Sequence, residues 1–399
     1  MAVLYADSTF SLSEVEEFPV TPGHSVENYS MGVREFYNFD KITDQVNFKA
    51  VIYMHGSGGH GRLAADNPLV KAITDKGYAL LSVSGLGSPY SSKAPWTYGY
   101  GNVMSPMLYG RMIKAFWQTQ ATVEALVGKR MGVLIPTGFQ NGFINTNSTA
   151  EGLSTPSGST RTTHWVPVAG AKQFRVKLLQ GESNRLRLQW RMPDNSLVYV
   201  NNHGSSGLSD EPDGQYILDV PEGATEVRIY YATAAAAASD PEISISIFMP
   251  VALLGHSLGA QQAFSWASLV KEVRPRSASL VNYIIGNGAT IAGSGNFRWN
   301  HIHRNIAAYS NIFRRITHPA IAYYSDDDGF CPRDFSERLR MTLKPDQDNL
   351  YFISPGALGH SWFSQRPDLV ANHLEQMFNG EPITIDSTDP ESALAVPGP

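Results

Sequence analysis

The chain has 399 residues, enough for more than one hydrophobic core, and its 42% apolar and 11% aromatic content is that of a globular protein. A formal charge of −5 gives no basis for a nucleic-acid or membrane-surface partner. The single cysteine, Cys331, excludes an intramolecular disulfide, and no stretch reaches the roughly 18 unbroken apolar residues of a membrane span.

Met1 to Phe10 lack the basic start and apolar core of a secretory signal. The expectation is a soluble protein, cytoplasmic as synthesised, with association with a virion left open. Phe48 to Met54 reads as a buried strand ending in a glycine-rich turn. Asn67-Pro68 then caps a helix with Leu69, Val70 and Ile73 on one face, stopping at Gly77, and Tyr78 to Ser84 is the next strand. Ser105-Pro106 opens a predicted helix that runs to about Gly128. After residue 250 come short apolar runs at Val251–Leu254, Leu280–Ile285, Ile321–Tyr324 and Leu350–Ile353, most of them separated by helical stretches. Such alternation predicts an α/β fold with a mostly parallel sheet covered by helices on both faces.

Residues 131–250 have a different texture. Phe174/Val176/Leu178, Leu186/Leu188/Trp190, Val227/Ile229/Tyr231 and Ile243/Ile245/Ile247 alternate with polar residues, and turn sequences such as Pro193-Asp194-Asn195 lie between such runs. Period-two strands without helices predict an antiparallel β-sandwich. The expected organisation is an α/β domain made of residues 1–130 and 251–380, an inserted β-domain at 131–250, and a flexible tail at 381–399.

Gly255-His256-Ser257-Leu258-Gly259 follows the apolar run Val251–Leu254 and precedes a helical pattern with Ala263, Trp266, Ala267 and Val270. A serine on a tight strand-to-helix turn is strained, and small residues two before and two after it relieve the crowding. A hydroxyl is a weak nucleophile and needs a base, itself oriented by an acid. His360, in Gly359-His360-Ser361 after the Leu350–Ile353 strand, is the candidate base. The acid comes from Ser325-Asp326-Asp327-Asp328-Gly329 after the Ile321–Tyr324 strand, with Asp328 the first choice and Asp326 the second. His55-Gly56-Ser57-Gly58-Gly59 follows the first strong strand, and its glycines let backbone N–H groups approach a substrate oxygen. The oxyanion donors expected are the amides of Leu258 and of Ser57 or Gly58. Tyr90, Trp96 and Trp299, in aromatic loops after later strands, are candidate substrate-wall residues. His301 and His303 have no Cys or acidic neighbour close in sequence, so no metal is assigned there, and no cofactor is expected.

With these motifs the chain resembles the α/β-hydrolase superfamily over about residues 15–130 and 250–380. The resemblance implies Ser257 as nucleophile, His360 as base, Asp328 as orienting acid, and esterase-like chemistry. The middle segment resembles jelly-roll, carbohydrate-binding-type domains of phage tail proteins, which implies that Trp165, Trp190, Tyr199 and Tyr231 are candidates to stack on sugars. The expected function is therefore a serine esterase, acting on an ester substrate that includes esters of polysaccharide. The alternatives are a non-catalytic, sugar-binding structural protein on a hydrolase scaffold, and a peptidase or thioesterase using the same triad. Assembly into a virion or a homo-oligomer is left open.

Overall fold

The computed structural model describes residues 3–11, 30–43, 49–56, 59–84, 90, 133–134, 138–142, 160–171, 173–180, 183–203, 215–233, 242–248, 251–257, 259–260, 263–264, 281–287, 314, 316, 319–329, 333 and 349–384. The chain divides into two compact units: Met1–Thr43, Lys49–Thr122 and Pro250–Pro399 form one, and Asp44–Phe48 with Val123–Met249 the other.

In chain order the strands begin with β1 (Leu4–Ser11), β2 (Ser30–Tyr37), β3 (Ala50–Met54) and, after helix α1 (Pro68–Thr74), β4 (Ala79–Ser84). The second unit holds β5 (Val133–Leu134), β6 (Gln140–Asn141), β7 (Thr160–Thr162), β8 (Val166–Pro167), β9 (Gln173–Gln180) and β10 (Ser183–Arg191). It continues with β11 (Leu197–His203), β12 (Gln215–Asp219), β13 (Glu226–Thr233) and β14 (Glu242–Phe248). The first unit resumes with β15 (Val251–His256), β16 (Val281–Asn287), β17 (Ala320–Tyr323), β18 (Leu350–Ile353) and helix α2 (Pro367–Asn379).

The first unit is built on one eight-stranded mixed sheet in the order β1-β2-β4-β3-β15-β16-β17-β18. Strand β2 runs antiparallel to β1 and β4, and every pairing from β4 to β18 is parallel. Both faces are buried. Val51, Tyr53, Ala252 and Leu254 join α1 and α2 in one core, while Ile52, Leu81 and Leu253, of opposite parity, are equally buried. That double burial is why these strands read as continuous apolar runs. Asn67 caps α1 by accepting the Leu69 N–H at 2.9 Å, and Gly77 takes a left-handed φ of 81° just after it, as the sequence predicts. Helix α2 ends at Gly380, also left-handed.

Strands β1 and β2 were not expected. Their pattern is masked because β2 carries Glu35, which is buried and accepts a hydrogen bond from the Tyr37 hydroxyl at 2.9 Å. The predicted helix at 105–128 lies outside the described residues. Of the expected tail, residues 381–384 lie against α2, where the His373 Nε2–H donates to the Thr384 carbonyl at 2.8 Å. The remainder of the tail lies outside the described residues.

In the second unit, one sheet has the order β11-β10-β13-β7-β6, with β8 also paired to β13, and another the order β12-β9-β14-β5. All the pairings are antiparallel. Phe174 and Val176 of β9, Ile243, Ile245 and Ile247 of β14, Leu188 and Trp190 of β10, and Val227 and Ile229 of β13 share one core. Trp190 meets Phe174 edge to face at 5.8 Å and is 1% exposed. A ring so placed cannot stack on a ligand, which corrects the expectation for Trp190. The side chains of Tyr199 and Tyr231 lie outside the described residues.

Among the described residues no helix is long and apolar enough to cross a membrane.

Candidate active site

Ser257 follows β15 directly, and residues 259–260 and 263–264 are already helical. It is one of three described non-glycine residues with positive φ, at 56°. The strain is held by close contact. A Cβ on Gly255 would lie 2.5 Å from Ala260 N, and one on Gly259 would lie 2.6 Å from the His55 carbonyl oxygen. Both contacts are with backbone, so neither position admits a side chain. The serine itself is 8% exposed.

The loop after β3 reaches the same place. A Cβ on Gly56 would lie 3.2 Å from Ser257 Cβ and 3.0 Å from His256 Nδ1. The Gly56 carbonyl accepts two hydrogen bonds, from His55 Nδ1–H at 2.7 Å and from the Gly59 N–H at 3.1 Å, which fold the turn back on itself. His55 is buried, and burial pushes its imidazole down to about 4, against the smaller opposing effect of its bond to Gly56. It is therefore neutral at pH 7. Of the expected oxyanion donors, Ser57, Gly58 and Leu258 lie outside the described residues.

The three consecutive aspartates after β17 are sorted by their partners. Asp326 accepts from Ser354 Oγ at 2.7 Å and pairs with Arg333 at 3.1 Å. Asp327 accepts the Gly359 N–H at 2.6 Å and bonds with Ser325 Oγ at 2.8 Å. Those two donors, the Gly359 amide first, hold its carboxyl below the usual range. Asp328, 4% exposed, lies 2.7 Å from His360 Nδ1 through Oδ2. The aspartate that meets the histidine is Asp328, not Asp326. A carboxylate only accepts, so His360 Nδ1 carries the proton of this bond, and a neutral ring then has its lone pair at Nε2.

The loop carrying His360 is laced to the aspartate turn. The Leu358 N–H donates to Ser325 Oγ at 2.9 Å, and the Gly356 carbonyl accepts the Asp326 N–H at 3.2 Å. Downstream, Trp362 is fully buried and packs edge to face on Tyr323 of β17 at 4.9 Å. On the other side, His256 Nε2 lies 2.9 Å from the His360 carbonyl oxygen, with the two imidazole rings 5.0 Å apart. Burial lowers the pKa of His256, although the bond to the His360 carbonyl opposes that. Gly56, Ser257, His256, His360 and Asp328 thus form one chain of contacts.

The chain thus carries a strained serine at a strand-to-helix turn of a mixed sheet, followed by Asp and then His after later strands.

Tyr90, with φ of 72° and 49% exposed, sits beside the far end of the Gly56–Arg62 loop. The Arg62 guanidinium stacks over its ring at 3.8 Å, and His60 meets it edge-on at 5.3 Å. Trp96, Trp299, His301 and His303 lie outside the described residues, as do Phe330 and Cys331. Among the described residues no cluster of three or more His, Cys, Asp or Glu has the spacing of a metal site. The sequence reading missed Ser325, Ser354 and Asp327 as loop fasteners, because serine and aspartate in turns carry no distinctive spacing.

No protein-family model matches the chain, and no curated protein matches it in sequence. Among solved structures, it is similar to an α/β hydrolase from Penicillium at 9% identity and a TM-score of 0.45, covering 95% of this chain and 99% of that one. It is similar to a Pyrococcus furiosus esterase at 10% identity and a TM-score of 0.44, covering 95% and 93%. A CIB-like hydrolase from Thermoplasma acidophilum aligns at 8% identity and a TM-score of 0.41, covering 95% and 100%. At that level of likeness, function has to be read from this chain's own residues.

Proposed function

We propose that this chain is a serine hydrolase of carboxylic esters, with Ser257 as nucleophile, His360 as base and Asp328 as the orienting acid. The observation that carries the reading is the strained, buried Ser257 beside Gly56, joined through His256 to a histidine whose Nδ1 is held 2.7 Å from a buried aspartate. His360 Nε2 takes the Ser257 proton as the oxygen attacks the ester carbonyl, and Asp328 stabilises the imidazolium that forms. The tetrahedral oxyanion is received by the backbone amides of Leu258 and of Ser57 or Gly58, with the helical turn at 259–260 favouring negative charge. Collapse expels the alcohol, with His360 returning the proton to its oxygen. Water then attacks the acyl-serine by the same route and releases the acid.

For the second unit, an inserted β-sandwich that holds a polymeric ester is the extension of this reading. Trp165 is half-buried, with the guanidiniums of Arg191 at 4.1 Å and Arg228 at 4.7 Å from its ring centre, so a stacked sugar would have to displace or share those contacts.

The test is turnover of p-nitrophenyl acetate by the wild type and by Ser257→Ala, Asp328→Asn and Asp326→Asn. The expected result is complete loss in Ser257→Ala, a fall in kcat of about 10³–10⁴-fold in Asp328→Asn, and less than about tenfold in Asp326→Asn. A Ser257→Ala variant as active as the wild type contradicts the assignment. Parallel assays with an acyl thioester and a peptide anilide separate the thioesterase and peptidase alternatives.

A further inference from the structure

His256 has no assigned part in the chemistry above, although it is bonded to the base and precedes the nucleophile in the chain. We infer that His256 is a positioning residue, whose Nε2–H fastens the carbonyl of His360 to the nucleophile elbow and so sets where the base stands relative to Ser257. The inference rests on the reading of Ser257 and His360 given above.

Three observations carry it. The bond is direct: His256 Nε2 and the His360 carbonyl oxygen are 2.9 Å apart, across 104 residues of chain. The carbonyl can only accept, so the ring must be in the Nε2–H form in its neutral state. Second, the backbone before His360 is anchored by Leu358, which packs against the sheet core, but is open at its two glycines. Gly356 and Gly359 have left-handed φ values of 93° and 71°, and a Cβ on either would meet nothing within 4 Å. Ties of this loop run to Ser325, Asp326 and Asp327, on the acid's turn, and others to Ser354 and to Gln365, whose Nε2–H donates to the Leu358 carbonyl at 3.0 Å. The ties to the acid's turn hold His360 to Asp328, and the His256 bond adds a tie to the strand that carries the serine. Third, the His256 ring is confined. Its Nδ1 is 3.0 Å from the position of a Cβ on Gly56, and the Phe363 ring lies 5.9 Å away. Its backbone belongs to β15, within the sheet. A fixed ring on a fixed strand is a rigid strut. Without it, the Asp328–His360 pair stays intact but shifts as a unit, and a displacement of about 1 Å costs up to about 100-fold in rate.

The experiment compares wild type, His256→Phe and His256→Gln. Phenylalanine keeps a ring of similar shape but no donor, and glutamine places an N–H near the Nε2 position. Each is measured for kcat and KM on p-nitrophenyl acetate, for the rate of inactivation by a fluorophosphonate, and for folded fraction by circular dichroism. The expected result for His256→Phe, per folded molecule, is about a 10- to 100-fold loss in both kcat and inactivation rate. KM stays within about twofold, and His256→Gln recovers most of the loss.

A folded Phe variant with wild-type kcat and inactivation rate overturns the inference, as does a Gln variant as impaired as Phe. The ring itself gives a readout that does not depend on any variant's activity. In ¹⁵N-histidine spectra of the wild type, with the His256 signals assigned by their loss in His256→Gln, the Nε2–H tautomer is expected. An Nδ1–H tautomer overturns the strut even if the Phe variant does not fold. A wild type that neither turns over the ester nor reacts with the fluorophosphonate overturns the underlying reading instead, and is distinguishable from all of these.

Discussion

Around Ser257 the backbone is fixed by contact. Gly255 and Gly259 are pressed against backbone atoms of the elbow helix and of the loop after β3, with no room for a methyl group. Around His360 the glycines are free of such contact: Gly356 and Gly359 face open space, and besides the packing of Leu358 the loop is shaped by hydrogen bonds its amides donate to Ser325, Ser354 and Asp327 and one its Gly356 carbonyl accepts from the Asp326 N–H. The place of Ser257 is thus a product of steric exclusion, while those of Asp328 and His360 are products of a polar network. Steric sites fail all at once when crowded. Polar networks lose their members by degrees.

The largest expected effect is at the elbow. Gly259→Ala puts a methyl into the His55 carbonyl, where backbone and not a flexible side chain must give way. The variant is expected to lose about 3 kcal/mol of stability, the upper end of what overpacking costs, seen as a drop in melting temperature, and to lose activity with it. A Gly259→Ala protein that melts like the wild type removes the steric account of the elbow. Gly359→Ala is the matching change in the base loop, with strain from its φ of 71° but no clash, so its melting temperature should fall less.

Acid attacks the elbow by a second route. The folded pKa of His55 is about 4, below the ordinary 6.5. Between those values the unfolded chain carries a proton that the fold refuses, so stability falls as pH falls through that window and is unaffected above it. The loss at pH 4 comes to about 3 kcal/mol. In His55→Asn the side-chain amide is expected to keep the donor to the Gly56 carbonyl without an ionisable group. Its melting temperature should therefore fall less than that of the wild type between pH 7.5 and 4.5. An equal fall in both proteins shows that His55 takes up its proton as readily folded as unfolded.

The smallest effect belongs to the network. Ser325→Ala removes an oxygen, 0% exposed, that accepts the Leu358 N–H and contacts both Asp327 Oδ1 and the Gly356 carbonyl. A loss of about 1–3 kcal/mol by denaturant titration is expected, together with a partial fall in kcat at nearly constant KM. A change in KM alone places Ser325 in substrate binding instead.

The same contrast decides what was legible in the sequence. Steric need writes itself as glycine at fixed spacing, so Gly255-His256-Ser257-Leu258-Gly259, set between the Val251–Leu254 run and a helical pattern, marked the elbow. A polar network writes itself in serine and aspartate, which are common in every turn. Asp328 could therefore be ranked first with Asp326 still its rival, and the two were separated only when the distant Ser354, Gly359 and His360 came to meet the three aspartates. Strands β3, β4, β15, β17 and β18 were readable because burial on both faces gives unbroken apolar runs. Strand β2 was not, since Glu35 is buried with the Tyr37 hydroxyl as its donor and breaks the pattern at its centre. In the second unit the period of two marked Phe174, Val176, Leu188, Trp190, Val227, Ile229, Ile243, Ile245 and Ile247, all buried, while the side chains of Leu178, Leu186 and Tyr231 lie outside the described residues. It could not tell a core tryptophan from a ligand-facing one, and Trp190 proved to be core.

The central claim is that Ser257 is the nucleophile. It is tested most directly by treating the wild type with a fluorophosphonate and locating the adduct by peptide mass spectrometry. One adduct per chain, on the peptide containing Ser257 and absent from Ser257→Ala, is the predicted result. An adduct on another residue, or a folded wild type that takes up none, contradicts it.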